Sequence, residues 1–135
     1  MSKLSVALAV LGLVAAGCSF AAQDDAGAAP APAHRMKQYF FVLLRSGPNR
    51  GHSEAEAAKI QEGHMAHIRE TAASGQLQIA GPFDDEHGDW RGILIYDVKT
   101  IDEARALCAA DPAVKAGRMV CDIHGWWAQQ GSTLK

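Results

Sequence analysis

The order of the predicted strands and helices is the feature that most restricts how this chain can fold. Residues 38–45 (QYFFVLLR) are rich in aromatic and branched side chains and are followed by Ser-Gly-Pro, which predicts a strand and then a turn. Residues 53–75 begin with a serine, carry a glutamate three residues later and end at a glycine. This capping box and C-terminal glycine predict one long helix. Residues 76–83 (QLQIAGPF) predict a short strand that stops at Gly-Pro.

The second half of the chain continues this alternation. Residues 84–89 predict a hairpin-like loop, and residues 90–98 (WRGILIYDV) predict a third strand. Residues 100–110 begin with a threonine that has a glutamate three positions later, which predicts a second helix. Residues 120–127 (VCDIHGWW) predict the last strand. The order β-α-β-β-α-β predicts an α+β domain of the ferredoxin-like arrangement over residues 37–130.

The first and third predicted strands are apolar on both of their faces. Residues 40–44 (FFVLL) and 93–95 (ILI) contain no polar side chain. Two helices can cover only one face of a four-stranded sheet, so the second apolar face needs another cover. We therefore expect a homodimer that packs sheet against sheet through an isologous interface.

The N-terminus predicts export. Residues 1–17 combine a weakly positive start with an apolar run too short to span a bilayer, which is typical of a signal peptide. Residues 15–18 (AAGC) resemble the bacterial lipobox, which favours lipid attachment at Cys18 and a periplasmic or outer-membrane lipoprotein. The alternative is ordinary cleavage after residues 19–21 (SFA), which would release a soluble secreted protein.

Residues 18–36 are rich in Ala, Pro and Asp and predict a flexible tether, and residues 131–135 predict a C-terminal tail. The net charge is −2, and Lys and Arg form no cluster. Binding to nucleic acid or to a membrane through a basic patch is therefore not expected, because both need clustered positive charge. The lipid anchor would be the only membrane contact.

The two remaining cysteines, Cys108 and Cys121, leave two interpretations open. In an oxidising compartment they could form a disulfide. Alternatively, both are small buried apolar side chains, as free cysteines often are. Spacing alone cannot place their Cα atoms within disulfide reach, so we favour two separate thiols.

The two histidines of the first predicted helix play different parts. At about 100° per residue, His64 lies in the middle of the apolar stripe, between Ile60 and Ile68. His67 lies at the edge of that stripe. Helical zinc pairs are four residues apart, whereas these are three apart, so we expect no metal site and no cofactor.

A buried imidazole needs a polar partner, because an unpaired polar group costs about 1–3 kcal/mol on burial. Antiparallel helices in this fold bring His64 toward the end of the second helix, where Asp111 lies. A His–carboxylate pair would suit an acid/base catalyst. The alternative is that His64 is an ordinary core residue and that Asp111 caps a short turn that begins with Pro112 and ends at Gly117. Spacing alone favours this second interpretation.

At residues 63–83 (GHMAHIRETAASGQLQIAGPF) the chain resembles the YciI family of YCII-related domains. Residues 101–127 (IDEARALCAADPAVKAGRMVCDIHGWW) continue the resemblance, and the final HGWW is similar to a subgroup that ends in HPWW. The resemblance covers about residues 38–128. It implies a dimeric α+β barrel with one cleft per subunit.

The resemblance also implies a function. The catalytic His and Asp proposed for the family map onto His64 and Asp111. The family includes a dehydrochlorinase of a hydroxylated aromatic, and relatives of the barrel act on small aromatics and lactones. We therefore expect a cofactor-free lyase, isomerase or hydrolase-type enzyme for a small aromatic or lactone, with Phe83, Trp126 and Trp127 as apolar walls. The alternative is a module that binds such a ligand without turnover.

Overall fold

The structure, a computed structural model, describes residues 35–134. The predicted signal peptide, the lipidation at Cys18 and nearly all of the tether lie outside the described residues. The elements are β1 (Met36–Ser46), α1 (Glu54–Ala73), β2 (Leu77–Pro82), β3 (Trp90–Tyr96), α2 (Ile101–Ala110), α3 (Pro112–Lys115) and β4 (Met119–Gln129). The predicted β-α-β-β-α-β order is confirmed, with the short helix α3 added before the last strand. Within residues 35–134, no helix is long and apolar enough to cross a membrane.

The four strands form one antiparallel sheet in the order β2-β3-β1-β4. Strand β1 is therefore central, and β2 and β4 are the edges. Met36 pairs with Gln129 in the sheet, so it belongs to β1 rather than to the predicted tether.

The core lies between one face of the sheet and the helices. Alternate residues of β1, namely Phe40, Val42 and Leu44, are buried in one apolar cluster with Ala104 and Cys108 of α2. Ile68 of α1 packs against the same cluster. Because side chains alternate along a strand, the residues between these three point to the other side of the sheet.

That other side, which we call the open face, carries no helix within the described chain. Phe41 lies there beside Ile95 of β3, and Leu43 lies beside Ile93. The strands are thus apolar on both faces, as the sequence indicates. The homodimer expected from this pattern stays a prediction.

The predicted capping of α1 is confirmed. The Ser53 side chain accepts a hydrogen bond from the N–H of Glu56, and the Glu56 carboxylate accepts one from the N–H of Ser53. The hydroxyl and the N–H of Ser53 hold the pKa of Glu56 below its usual range. Gly75 follows the helix with φ of 77°, a conformation that glycine adopts without strain.

Cys108 and Cys121 form a disulfide between α2 and β4, so the expectation of two separate thiols is wrong. Their Cα atoms are 6.6 Å apart. Cys121 pairs with Leu44 in the sheet and therefore faces the helices, where the last turn of α2 presents Cys108. This proximity depends on how α2 crosses the sheet, which sequence spacing does not reveal.

Candidate functional site

His64 and Asp111 are in contact. The Nδ1–H of His64 donates to Oδ2 of Asp111 over 2.6 Å. Both side chains are buried, with 5% of His64 and 1% of Asp111 exposed. The helical position therefore gives the correct direction for His64, and the antiparallel helices give its correct partner.

Asp111 has a second hydrogen-bonding role. Its Oδ1 accepts the N–H of Ala113 over 2.8 Å and so caps the N-terminus of α3, where Pro112 is the first residue. Asp111 therefore both contacts His64 and caps α3, because each contact uses a different carboxylate oxygen. The cap also fixes the orientation of the carboxylate toward His64.

The two nitrogens of the His64 ring are in different environments. Nδ1 is held by Asp111, which fixes the tautomer in which Nδ1 carries the proton. Nε2 has no hydrogen-bond partner among residues 35–134 and is not enclosed by protein. In this tautomer Nε2 carries a lone pair, so it can take a proton from a molecule placed against it.

A cleft of about 380 Å³ opens beside His64, between α1 and the β2–β3 side of the sheet. Met65 and Ile68 line it from α1, Pro82 lines it from β2, and Leu94 lines it from β3. Its polar lining residues are Gln61, His64 and Arg91. The cleft is therefore mainly apolar, with few polar groups to orient a ligand.

Tyr96 is a third ionisable group near the pair. Only 1% of it is exposed. Burial raises the pKa of Tyr96, and the negative charge of Asp111 raises it further. Tyr96 therefore stays protonated and adds no charge beside the carboxylate.

A close approach between α1 and α3 brings the pair together. A Cβ at Gly63 would lie 3.1 Å from Cβ and Cγ of Pro112. Glycine in a helix costs about 1 kcal/mol relative to alanine, so its place in the middle of α1 needs a packing reason. The contact with Pro112 supplies that reason, since Pro112 directly follows Asp111.

His67 is not part of the cleft lining. Its Nε2 lies 3.0 Å from the carbonyl oxygen of Leu107, and this hydrogen bond joins α1 to α2. The sequence places His67 at the edge of the apolar stripe, which agrees with a side chain that is half-buried.

In the described part of the chain, the lining of the His64 cleft does not include the three aromatic residues that the sequence suggested as its walls. Trp126 lies on the open face, with its ring 6.4 Å from that of Tyr39, and contributes to another cavity of about 490 Å³. Trp127 is 60% exposed. Phe83 packs edge-on against Trp90 at 5.4 Å. The two tryptophans lie near the end of β4 that pairs with the start of β1, whereas the β4 residue that lines the cleft, Met119, is at the other end of the strand.

Sequence reasoning missed two polar residues of the cleft, Gln61 and Arg91. Gln61 lies three residues before His64 on α1, and this spacing could have identified it, because such residues share a helix face. Arg91 has no comparable signal in the sequence. Among residues 35–134, no three His, Cys, Asp or Glu side chains are grouped as a metal site would require.

The family model of the YCII-related domain matches residues 40–126. No curated protein matches the chain.

Among solved structures, the chain is similar to the 5-chloro-2-hydroxyhydroquinone dehydrochlorinase of Burkholderia phenoliruptrix AC1100, determined with 2,5-dihydroxybenzoquinone. The two are 22% identical with a TM-score of 0.48, over 64% of this chain and 92% of that one. The chain is also similar to a dimeric protein of unknown function with a ferredoxin-like fold from Bacteroides fragilis NCTC 9343. Here the identity is 14% and the TM-score 0.39, over 67% of this chain and 96% of that one.

Proposed function

Because the chain belongs to the YCII-related domain family, we propose that its cleft binds a small organic molecule and converts it by acid/base chemistry at His64. The observation that carries this proposal is the buried contact between Nδ1 of His64 and Asp111, which leaves Nε2 without a partner among the described residues on a side chain that lines the cleft. The reaction is of the lyase, isomerase or hydrolase type and uses no cofactor. The ligand is a small aromatic or a lactone.

The proposed step is a proton transfer to Nε2 of His64. The proton comes from a carbon or hydroxyl group of the substrate, or from a water molecule that attacks it. The imidazolium that forms is stabilised by the Asp111 carboxylate, which keeps its hydrogen bond to Nδ1–H throughout. His64 then returns the proton to the leaving group or to another substrate atom, which restores the starting state.

The size and lining of the cleft support a small ligand. Its volume of about 380 Å³ falls within the range of about 300–1,000 Å³ that is usual for small-molecule sites. Its walls from α1 and β3 are apolar, so a planar ring would displace water from them favourably.

A ligand-binding module without turnover is the alternative. It is favoured by the capping role of Asp111, because the hydrogen bond to the Ala113 N–H would hold the carboxylate in place even if His64 performed no chemistry. His64 would then be a buried polar residue with a satisfied partner.

Single and double variants of the pair distinguish these functions. With a panel of small aromatics and lactones, His64→Ala should lower turnover by about 100-fold or more, because acid/base catalysis contributes at least that much. Asp111→Asn should also lower it, and the double variant should lose little more, since the two residues act as one unit. His67→Ala is the control, and its turnover should stay near that of the wild type. If the wild type and all of these variants bind ligand but none of them turns it over, the protein is the binding module instead.

We also propose that the protein is a homodimer joined through the open face and that it works outside the cytoplasm. The apolar residues of the open face support the dimer. The Cys108–Cys121 disulfide supports export, because disulfides persist in oxidising compartments and are rare in the cytosol. Lipid attachment at Cys18 would keep the protein at the cell envelope, and mass spectrometry of the membrane fraction would detect it.

A further inference from the structure

Arg91 is the one residue with a permanent charge among those that line the His64 cleft in the described chain. We propose that Arg91 binds a carboxylate group of the substrate, so that the cleft selects a small planar molecule with one negative charge. This inference rests on the proposed function of the cleft and names the class of molecule that it accepts.

Arg91, which lines the cleft, lies at a β-bulge of β3. Leu44 of β1 pairs with Gly92, but the next residue, Arg45, pairs with Trp90. Arg91 is therefore an extra residue of β3 with no partner on β1. Bulges of this kind bend the strand and redirect side chains, and they are frequent beside active sites. The neighbouring Trp90 side chain is occupied by its contact with Phe83.

No acidic side chain of the described residues lies within ion-pair distance of Arg91. Two acidic residues of the preceding loop, Asp85 and Asp89, make other contacts. Asp89 lies 4.0 Å from the Arg45 guanidinium, and Asp85 accepts backbone hydrogen bonds from the loop. The guanidinium of Arg91 is thus available for an anion.

Two glycines close to Arg91, Gly81 and Gly92, line the cleft without side chains. A Cβ at Gly92 would lie 2.7 Å from the carbonyl oxygen of Gly81, so the two backbones touch there with no side chain between them. A planar ligand can therefore lie against this bare backbone. A carboxylate at one end would meet the planar guanidinium in the two-pronged geometry that arginine favours.

This arrangement assigns separate tasks to the polar groups of the cleft. Arg91 holds the charged end of the molecule, and the apolar walls hold its ring. The substrate atom that exchanges a proton is then directed to His64, which lines the same cleft. The proposed substrates are therefore aromatic acids or lactones that carry a carboxylate.

Benzoate and its neutral analogue benzamide test the role of Arg91, with binding to the purified protein measured by calorimetry. The wild type should bind benzoate about tenfold more tightly or better, since hydrogen bonds to charged groups are the stronger ones. Arg91→Gln should lose this preference while binding benzamide as before, and Arg91→Lys should keep part of it. Arg69→Gln, which removes an exposed arginine of α1 outside the lining, is the matched control and should leave the preference unchanged.

Two results would overturn the carboxylate assignment. One is a wild type that does not prefer benzoate, and the other is an Arg91→Gln protein that keeps the full preference. Failure of the proposed function would give another result. Benzoate binding could still depend on Arg91, but no compound of the panel would show turnover that depends on His64.

Discussion

Asp85 organises the loop between β2 and β3, which leads directly to the bulge at Arg91. One carboxylate oxygen accepts the N–H of His87, and the other accepts the N–H groups of Asp89 and Trp90. These hydrogen bonds, that of Trp90 above all, hold the pKa of Asp85 below its usual range. The ionised carboxylate is therefore part of what holds the start of β3 in place.

The depressed pKa of Asp85 predicts a pH-dependent effect of Asp85→Asn. Because the folded-state pKa is lowered, the carboxylate stabilises the fold at any pH above its ordinary value of 3.8. This stabilisation is lost as the pH falls through the folded-state value. Urea unfolding at neutral pH should therefore show Asp85→Asn to be less stable than the wild type, and the difference should shrink on acidification.

Asp84→Asn is the matched control for this effect, since Asp84 is exposed and neighbours Asp85. It should change stability little at either pH. If Asp85→Asn lowers the free energy of unfolding equally in acid and at neutral pH, the charge of Asp85 does not contribute to stability.

The sequence and the structure agree closely at His64 and Asp111. The direction of His64 follows from the period of the helix alone, because its neighbours Ile60 and Ile68 define the buried stripe. The position of Asp111 follows from local capping chemistry with Pro112. Their contact also follows from the antiparallel packing of the helices, which the element order supplies.

The approach of α1 to α3 can be tested at Gly63. Gly63→Val would place two additional methyl groups against Pro112, which a bare Cβ would already approach to 3.1 Å. Overpacking of this kind destabilises by about 1–3 kcal/mol. It should also separate His64 from Asp111 and so weaken ligand binding. Chemical unfolding and calorimetry with the best ligand of the panel would measure the two effects.

Ala66→Val is the control for Gly63→Val, because it introduces the same branched side chain at an exposed position of α1. Its effect should be limited to helix propensity, which is at most about 0.7 kcal/mol. If both variants destabilise equally, the contact between α1 and α3 does not restrict this position.

The element boundaries could be predicted from the sequence, whereas the strand residues that line the cleft could not. Caps and turn residues are local, so they mark where helices and strands end. The placement of Trp126 on the open face depends on its register with Tyr39 of β1, which lies far away in sequence. The bulge at Arg91 likewise exists only relative to β1. Such pairings between distant strands leave no local pattern.

The apolar open face predicts that the protein is a dimer. Phe41, Leu43 and Ile93 lie together on this face, and no helix of the described chain covers it. Light scattering of a soluble version of the protein should give about twice the mass of one chain. Phe41→Glu should shift the protein toward the monomer, because a charge in an apolar interface is costly to bury.

Lys59→Glu introduces the same acidic side chain on the exposed surface of α1, away from the sheet, and should leave the mass unchanged. A wild type that remains monomeric at micromolar concentration would contradict the dimer. A dimer that persists in Phe41→Glu would mean that another surface joins the subunits.

The disulfide encloses Asp111 in a small covalent ring. Its two cysteines are 13 positions apart, and the ring between them contains α3 together with the carboxylate that contacts His64. Closing a loop of about this size removes unfolded-chain entropy worth about 3 kcal/mol. Fewer conformations are therefore open to Asp111 once the ring has closed, even before the rest of the chain has folded. In an oxidising compartment the closed ring would thus hold Asp111 near the position in which it contacts His64, whereas in a reducing one the same residues would lie in a less constrained segment.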